Sequence, residues 1–385
     1  MKIILGSCDL NRPYVNEKKL ENEYVERLNK SGYNVERFVL TLNPPGPCLT
    51  FKELDRLWKT GDKTLMTMYE ALEEKLDGAD VFYNEVGINL HPEFVEQLEV
   101  HTVFQCFDDP ENSHNLSEPC AFSYDQCFVG NIAELDRYRD WGCKNVSWSP
   151  AGVRQNTYNS NLTFNEIMTG DREIDMFMMC DRYMVSRKSR LDQLAEAFPE
   201  AHFYGKGWSR GYLPHGKEIE TMQNTKIGIN MHLSSGPINR RTFDLPANGV
   251  LQICDNKSYL GKVFKLGKEV IGYDNIKECE DMCRYYLEND QERREIAARG
   301  WQRTLKDYNE ITLFANCMDK IKQCRKEQKP KKMTAVMISQ EQRQLTRWPR
   351  FFQYTNPYFY CKRIMKKMKV FCRVNILPRM KKYLK

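Results

Sequence analysis

The sequence predicts an α/β protein of two doubly wound domains followed by a basic tail. Short apolar runs alternate with helical patterns through residues 1–153, and the same alternation returns through residues 172–328. A polar stretch rich in Asn, Thr and Ser, residues 154–171, separates the two regions. Residues 329–385 are strongly basic and differ from both in composition. We therefore predict domains at residues 1–153 and 172–328, with a separate tail at residues 329–385.

The first domain opens with a strand, a helix and a second strand, the usual start of a doubly wound fold. These elements are expected at residues 2–6, 20–28 and 33–40. The turn after the first strand contains only Gly6 and lacks the pattern GxGxxG, which disfavours a dinucleotide oxidoreductase. The same periodicities predict strands at 80–83, 102–107, 120–131 and 143–149, and helices at 65–76 and 133–141.

The second domain is predicted from a second series of apolar runs. Strands are expected at 174–179, 202–205, 227–231, 250–254 and 269–273, and helices at 218–223, 276–287, 291–308 and 311–328. Cysteines at positions 279, 283, 317 and 324 recur along the last helices at spacings of four and seven. Because no histidine joins them, core packing is favoured over metal binding.

The stretch from Lys226 to Asp255 is the candidate ligand site. Its strand leads into the turn Ser234-Ser235-Gly236, and a short helix follows. Free N–H groups at such a turn and helix start attract anions. Arg240 and Arg241 suit phosphate, because a guanidinium matches two oxygens at once, and Asp244 can accept two hydrogen bonds from a sugar diol. The stretch predicts a pocket for a nucleotide diphosphate, and the alternative is an ordinary β-α-β unit with a solvated arginine pair.

Two further arginines follow the first strand of the second domain. Arg187 and Arg190 are placed to reach the diphosphate of a bound nucleotide, or else to form the solvated start of a helix. Trp208 lies after the next strand and either stacks on a nucleobase or is buried.

Two acids end a strand of the first domain. Asp108 and Asp109 precede Pro110, which fixes the turn, and they are candidates for a general base acting on an acceptor hydroxyl. The alternative is a loop start whose carboxylates bond backbone N–H groups. Glu85 follows an earlier strand and either faces a cleft or caps a local turn.

The motif Arg241-Thr242-Phe243-Asp244, with Ala247, Gly249 and a strand ending at Asp255, resembles the signature of spore-maturation (CgeB-like) glycosyltransferases. The resemblance extends to further segments of the chain: Gly272-Tyr273-Asp274, Tyr286-Leu287, Ala297-Ala298-Arg299-Gly300, Tyr204-Gly205 and Asp108-Asp109-Pro110. Relatives often carry Glu where this chain carries Asp244, so the reach of the carboxylate differs by one methylene.

This resemblance implies the GT-B class, in which two Rossmann-like domains face each other across a cleft and the final helix crosses back to the first domain. It implies that Asp244 contacts the ribose of a nucleotide sugar and that the loop carrying Tyr204, Gly205 and Lys206 lies near base and ribose. It also implies an arginine near Arg187 or Arg190, and catalysis without a bound metal or other cofactor.

The cysteine content and the lengths of the apolar runs indicate the cellular compartment of the protein. The chain has 14 cysteines without paired CxxC spacing, no secretory signal and no apolar run of 18 residues. Free thiols are typical of a reducing compartment, so we predict a cytoplasmic protein.

The net charge of +6 is a property of the tail. Residues 331–385 hold 15 Lys or Arg and one acid, whereas the rest of the chain holds 43 basic and 51 acidic residues. Apolar residues recur at three- and four-residue steps along residues 360–377, with basic residues mostly between them, which predicts a basic amphipathic helix. We predict that residues 358–385 lie on an anionic membrane surface. A helix docked on the body, a partner-binding helix and an RNA-binding tail are alternatives, and nucleic acid is the least favoured partner.

Together these features predict a glycosyltransferase of the hexosyltransferase type. It would move a sugar from a nucleotide-diphospho-sugar to a hydroxyl of a cell-envelope glycan, glycolipid or protein. Two alternatives stay open, a sugar-nucleotide epimerase of the same fold and a non-catalytic nucleotide-binding module targeted by its tail.

Overall fold

The computed structural model describes residues 1–9, 16–42, 49–236 and 239–327. The expectations for the tail, residues 329–385, fall outside the described residues. Within the described ranges, no helix combines the length and apolar character needed to cross a bilayer.

The first domain is built on a six-stranded parallel sheet with the order β2-β1-β3-β4-β5-β6. Its strands are β1 (Lys2–Ser7), β2 (Asn34–Val39), β3 (Val81–Asn84), β4 (His101–Cys106), β5 (Gln126–Val129) and β6 (Val146–Trp148). Its helices are α1 (Glu17–Lys30), α2 (Phe51–Thr60), α3 (Lys63–Leu76), α4 (Pro92–Val95), α5 (Ser117–Cys120) and α6 (Leu135–Asp140).

The second domain is built on a five-stranded parallel sheet with the order β11-β10-β9-β7-β8. Its strands are β7 (Ile174–Met179), β8 (His202–Tyr204), β9 (Thr225–Asn230), β10 (Leu251–Cys254) and β11 (Ile271–Gly272). Its helices are α8 (Lys188–Ala197), α9 (Glu218–Gln223), α10 (Arg241–Ala247), α11 (Lys257–Leu260), α12 (Ile276–Glu288), α13 (Asp290–Asp307) and α14 (Glu310–Glu327), and α7 (Phe164–Thr169) precedes the sheet.

The prediction of two doubly wound α/β domains is confirmed. In each sheet the strand order reverses once, between β1 and β3 in the first domain and between β7 and β9 in the second. At such a switch point the loops at the carboxyl ends of two strands diverge and leave a crevice. These two crevices are therefore the places where the fold itself favours ligand binding.

Helix α14 joins the two domains. It starts beside the second domain and packs Phe314, Cys317, Met318 and Ile321 onto a face of the first sheet that includes Leu5. Burying these side chains against the first sheet fixes the end of the described chain to the first domain. The crossing that the family resemblance implies is thus present.

Five helices of the described residues lie where none was predicted: the short helices α4, α5 and α11, and the longer helices α2 and α7. The segment 154–171, expected to be a polar linker, contains α7, whose start is fixed by a capping box between Thr163 and Glu166 and whose Ile167 is buried. Helix α2 begins with a second capping box, between Thr50 and Glu53.

The described cysteines are all free thiols. Eleven are described, and all but Cys8 are buried. The cysteines at positions 279, 283 and 317 lie within apolar clusters, as core packing predicts, and Cys324 is buried.

Candidate functional site

The candidate site lies at the switch point of the second sheet, where the loops after β7 and β9 meet. Two arginines tie these loops together. The Nη1 group of Arg241 donates to the carbonyl oxygen of Met179 at 2.9 Å, and that of Arg187 donates to the carbonyl oxygen of Met231 at 2.7 Å. The predicted anion-binding turn and the helix α10 therefore meet the end of β7.

The turn Ser234–Gly236 has its carbonyl oxygens engaged by two asparagines. The Nδ2 group of Asn256 donates to the oxygens of Ser234 and Gly236 at 2.9 and 3.1 Å, and the Nδ2 group of Asn131 donates to the oxygen of Ser235 at 2.9 Å. In contrast, the N–H groups of the three turn residues have no acceptor among the described residues, and the buried Oγ of Ser234 has no partner there either. The turn thus offers donors without acceptors, which is what an anion requires.

A buried polar network supports the turn from below. The amide nitrogen of Asn230 donates to Asn239, Thr242 and Gln252 at 3.1–3.3 Å. Its amide oxygen accepts from Nδ2 of Asn239 at 2.9 Å and from Nε of Arg241 at 3.1 Å. Because both sides of the amide are engaged, Asn230 fixes the orientation of Arg241.

A second buried pair holds the start of the same loop. The carboxylate of Asp255 accepts the backbone N–H of His232 at 2.9 Å, and its Oδ1 lies 2.7 Å from Nδ1 of the ring. The donor atoms of His232, Cys254 and Asp255 lie within 4.8 Å of one another, close enough to consider a metal. Burial, however, holds the pKa of the Cys254 thiol well above its usual value, and the histidine ring and the carboxylate bond each other. We therefore assign this cluster a structural role.

Arg241 and Asp244 carry unfilled hydrogen-bonding capacity. The Nη2 group of Arg241 has no partner among the described residues, and Oδ1 of Asp244 is buried without one. Burial raises the pKa of Asp244, while the positive charges of Arg240 and Arg241 oppose that shift. Arg240 itself is exposed. A buried carboxylate oxygen without a donor is costly unless a ligand hydroxyl fills it.

Arg187 and Arg190 differ in their surroundings. Only 5% of Arg187 is exposed, and its two terminal nitrogens donate to the carbonyl oxygens of Met231 and Asp181. These bonds hold the loops together, while the buried Nε of Arg187 has no partner among the described residues, so its contact with a diphosphate stays a prediction. Arg190 is more accessible, and its Nη1 lies 3.8 Å from a carboxylate oxygen of Asp255.

The loop after β8 lies against the loop after β7. At Gly205 the backbone φ is +128°, and a Cβ there would lie 2.6 Å from the carbonyl oxygen of Cys180, so only glycine fits. The N–H of Lys206 donates to Asp181, and its side chain is exposed. The ring of Tyr204 packs near Phe177, within the domain.

Trp208 is buried rather than open to a base. Its Nε1 donates to the carbonyl oxygen of Cys180 at 2.7 Å, and Arg182 covers the ring at 5.0 Å. Of the two interpretations that the sequence left open, the structure favours the buried one.

The two candidate base residues also differ. Asp109 is 1% exposed, accepts hydrogen bonds from the Ser117 hydroxyl at 2.9 and 2.7 Å, and accepts another from the Tyr138 hydroxyl. Its carboxylate is enclosed by protein donors, so the geometry does not support a role as general base. Asp108 is exposed at the same strand end. The base assignment therefore rests on Asp108 and stays a prediction.

Glu85 lies at the switch point of the first sheet, but it is paired. Its Oε1 accepts from Nη2 of Arg154 at 2.6 Å, and Nη1 of the same arginine donates to Glu21 at 2.6 Å. Burial raises the pKa of Glu85, and Arg154 opposes the shift. A small cavity of about 40 Å³ lies beside this pair and is bounded by Glu310 at the start of α14.

The supporting residues were not singled out from the sequence. Asn230, His232 and Asn256 are polar residues at or beyond strand ends, and that position was the one available signal. Asn131 is separated from Ser235 by 104 positions, and no local pattern connects them.

Residues 187–318 match a family described as glycosyl transferase-like. No curated protein matches the chain in sequence.

Solved structures share the whole architecture at low identity. HepE from Anabaena, crystallised with UDP, superposes with a TM-score of 0.54 at 11% identity, over 84% of this chain and 100% of that one. Sucrose-phosphate synthase from Thermosynechococcus elongatus gives 0.57 at 11% identity, over 85% and 100%.

A putative UDP-N-acetylglucosamine 2-epimerase from Listeria monocytogenes gives a TM-score of 0.50 at 12% identity, over 87% of this chain and 100% of that one. The second domain thus matches a glycosyl transferase-like family, and the chain as a whole has the GT-B fold of glycosyltransferases.

Proposed function

We propose that the protein transfers a sugar from a nucleotide-diphospho-sugar to a hydroxyl acceptor. One observation carries the proposal: unfilled donors and one unfilled acceptor lie on the loop and the helix that follow β9, at the switch point of the second sheet. The donors are the N–H groups of residues 234–236 and the Nη2 group of Arg241, and the acceptor is Oδ1 of Asp244. A diphosphate next to a ribose diol would satisfy both kinds of group.

Each group has a distinct role in this proposal. The turn Ser234–Gly236 and Arg241 hold the diphosphate and stabilise the negative charge that develops on it as the glycosidic bond breaks. Asp244 accepts hydrogen bonds from the ribose. Arg190 and Arg240 add positive charge at the rim of the site, and Lys206 lies on the loop proposed to border base and ribose.

UDP-sugars are the first donors to test, because HepE has been crystallised with UDP and with UDP-glucose. We propose a hexosyl donor and a place in the spore-maturation (CgeB-like) subfamily, on the motif around Asp244. The positive groups of the site are arginines and backbone N–H groups, so we propose that transfer needs no metal.

We propose that the acceptor binds to the first domain, with Asp108 as general base if the anomeric configuration inverts. A cell-envelope glycan or glycolipid acceptor would fit a cytoplasmic enzyme that reaches the inner membrane surface through residues 358–385.

A sugar-nucleotide epimerase is the second candidate, because the putative epimerase from Listeria monocytogenes shares the fold. The two activities differ in their product. A transferase joins the sugar to an acceptor, and an epimerase returns an altered sugar still linked to the nucleotide or released from it.

A thermal-shift panel with nucleoside diphosphates and nucleotide sugars, followed by mass spectrometry of products from labelled donors, tests the proposal. A ligand at a hundred times its dissociation constant adds about 2.7 kcal/mol of stability. A shift with one nucleoside diphosphate, with label appearing on an acceptor, supports transfer. Label confined to an isomerised sugar favours the epimerase, and no shift with any nucleotide contradicts both.

A further inference from the structure

Asn131 belongs to the first domain, yet its side chain reaches the candidate site of the second. It follows β5 and is 1% exposed. Its Nδ2 donates to the carbonyl oxygen of Ser235 at 2.9 Å and lies 3.4 Å from that of Asp109. Its Oδ1 accepts the N–H of Ala133 at 3.0 Å and so caps the helical turn that follows. One buried amide therefore joins the anion-binding turn to the loop that bears the acids.

The two domains approach closely at this point. Gly236 has a φ of +94°, and a Cβ added there would lie 2.0 Å from Oδ1 of Asn131. No side chain fits between the turn and the asparagine, so the contact depends on glycine on one side and a short amide on the other.

The contact also sets what the turn offers to a ligand. Asn256 holds the carbonyl oxygens of Ser234 and Gly236, and Asn131 holds that of Ser235. With all three carbonyls of the turn held, its N–H groups remain the available hydrogen-bonding groups of its backbone. If Asn131 released Ser235, a peptide carbonyl could rotate toward the bound anion and repel it.

We propose that Asn131 is a positioning residue of the nucleotide-sugar site, contributed by the opposite domain. It holds the diphosphate-binding turn in its donor-presenting form and fixes that turn relative to the loop of Asp108 and Asp109. This inference rests on the proposed function. It has a direct consequence: the affinity of the second domain for a nucleotide diphosphate depends on a side chain of the first domain.

The test uses Asn131→Ser in the full chain. Serine is a good N-cap and keeps the bond to Ala133, carries no charge and is too short to reach Ser235. Asn131→Asp is the second variant, because it also keeps the cap but cannot donate. The matched control is Asn145→Ala, which removes a 2.8 Å amide bond to the carbonyl oxygen of Asp125 within the first domain.

Three measured quantities are expected to change together. In the ligand-free protein, hydrogen exchange at the N–H of His232, which donates to Asp255 at the start of the loop, should quicken about threefold or more in Asn131→Ser, although the substitution lies in the other domain. The dissociation constant of UDP, or of whichever nucleoside diphosphate binds, should rise about three- to tenfold, the loss expected for one hydrogen bond. The KM for the donor should follow it with kcat within about twofold. Asn145→Ala should change none of these.

Unchanged exchange at the N–H of His232 and unchanged nucleotide affinity in folded Asn131→Ser and Asn131→Asp would overturn the role of Asn131 and leave the proposed function standing. Equal effects in Asn145→Ala would reduce Asn131 to a general stabilising role and overturn the inference as well. If the wild-type protein binds no nucleoside diphosphate, the proposed function and this inference fail together.

Discussion

The carboxyl edges of the two sheets both carry buried acids nearby. The two regions differ in whether protein groups fill the hydrogen-bonding capacity of those carboxylates. At the first edge, protein groups complete the carboxylates: Asp109 accepts from Ser117 and Tyr138, and Glu85 accepts from Arg154. At the second edge, Oδ1 of Asp244 is buried without a partner, and the turn beside it presents N–H groups without acceptors. Asp255, at the end of β10, is bonded by His232 as the acids of the first edge are bonded by their neighbours, so the difference lies at Asp244 on α10.

This difference separates acids that hold the protein together from acids that are available to a ligand. A buried carboxylate whose oxygens all have protein partners contributes to stability. Substituting one of these partners should lower the free energy of unfolding more than it changes the catalytic rate of the folded protein. A buried carboxylate with an unfilled oxygen costs stability and is retained where a ligand completes it. The predictions below test this division, from the largest expected effect to the smallest.

Arg154→Ala should give the largest loss of stability. The substitution removes the arginine that pairs with both Glu85 and Glu21. Because these carboxylates are largely buried, breaking the ion pair should cost about 3 kcal/mol of stability. Chemical denaturation followed by circular dichroism measures the change. Arg139→Ala, which removes an exposed pair with Asp136, is the control and should stay within about 0.5 kcal/mol. Equal effects in the two variants would show that the first edge does not depend on Arg154.

Asp108→Asn and Asp109→Asn should separate activity from stability. If the anomeric configuration inverts, loss of the general base at Asp108 should lower kcat about 100-fold, with a smaller change in melting temperature than in Asp109→Asn. Asp109→Asn should lower the free energy of unfolding by about 1–3 kcal/mol, because its two hydroxyl donors lose a charged acceptor, with kcat of the folded protein within about threefold. Transfer assays and thermal melts measure the pair. The reverse pattern would assign the base to Asp109.

Asp244→Asn should weaken nucleotide diphosphate binding about tenfold, since the ribose loses a charged acceptor. The pKa of Asp244 is raised by burial, so its carboxyl group stabilises the fold most below the unfolded pKa of about 4 and loses that contribution as pH rises through the folded value. Relative to wild type, Asp244→Asn should therefore gain melting temperature at pH 7.5 and lose the gain at pH 4.

The raised pKa of Asp244 also predicts how nucleotide binding depends on pH. Nucleotide affinity of the wild-type protein should fall as pH decreases through the raised pKa of Asp244, because the ribose requires the charged acceptor. Asp244→Asn should show a flatter profile over the same range. Calorimetric titration at several pH values measures both, and parallel profiles would mean that another group controls binding.

Removal of metal should have the smallest effect. Because the groups proposed to hold the diphosphate are arginine and backbone N–H, a chelator should change kcat by less than about twofold. Loss of activity in EDTA with recovery on adding a divalent cation would contradict the metal-free site.

The fold was predictable because apolar runs and helical patterns alternate clearly along both domains. The strands at residues 2–7 and 174–179, for example, are short and mainly apolar stretches at the start of each domain, typical of buried parallel strands. Helix α2 was missed although the capping box of Thr50 and Glu53 was present in the sequence. Helix α7 was missed because its surroundings are polar and only Ile167 is buried.

The site was only partly predictable, for a physical reason. Arg241, Asp244 and the turn Ser234–Gly236 lie within a short stretch, so their proximity follows from chain connectivity. Asn131 contacts the same turn although it lies 104 positions away in the sequence. Hydrophobic periodicity reports local structure only, so it does not predict such a contact. The enclosure of Asp109 by Ser117 and Tyr138, and of Arg187 by two carbonyl oxygens, likewise depends on packing.

The most direct test of the central claim compares the binding of UDP and 2′,3′-dideoxy-UDP by calorimetric titration. The titrations use the wild type, Arg241→Ala and Asp244→Ala. If the thermal-shift panel selects another base, that base replaces uracil in both ligands. Wild type should prefer the diol. Asp244→Ala should lose that preference, and Arg241→Ala should keep it while binding both ligands about tenfold more weakly. A diol preference that survives Asp244→Ala, together with unchanged binding in Arg241→Ala, would contradict the assignment of the ribose and the diphosphate to these two residues.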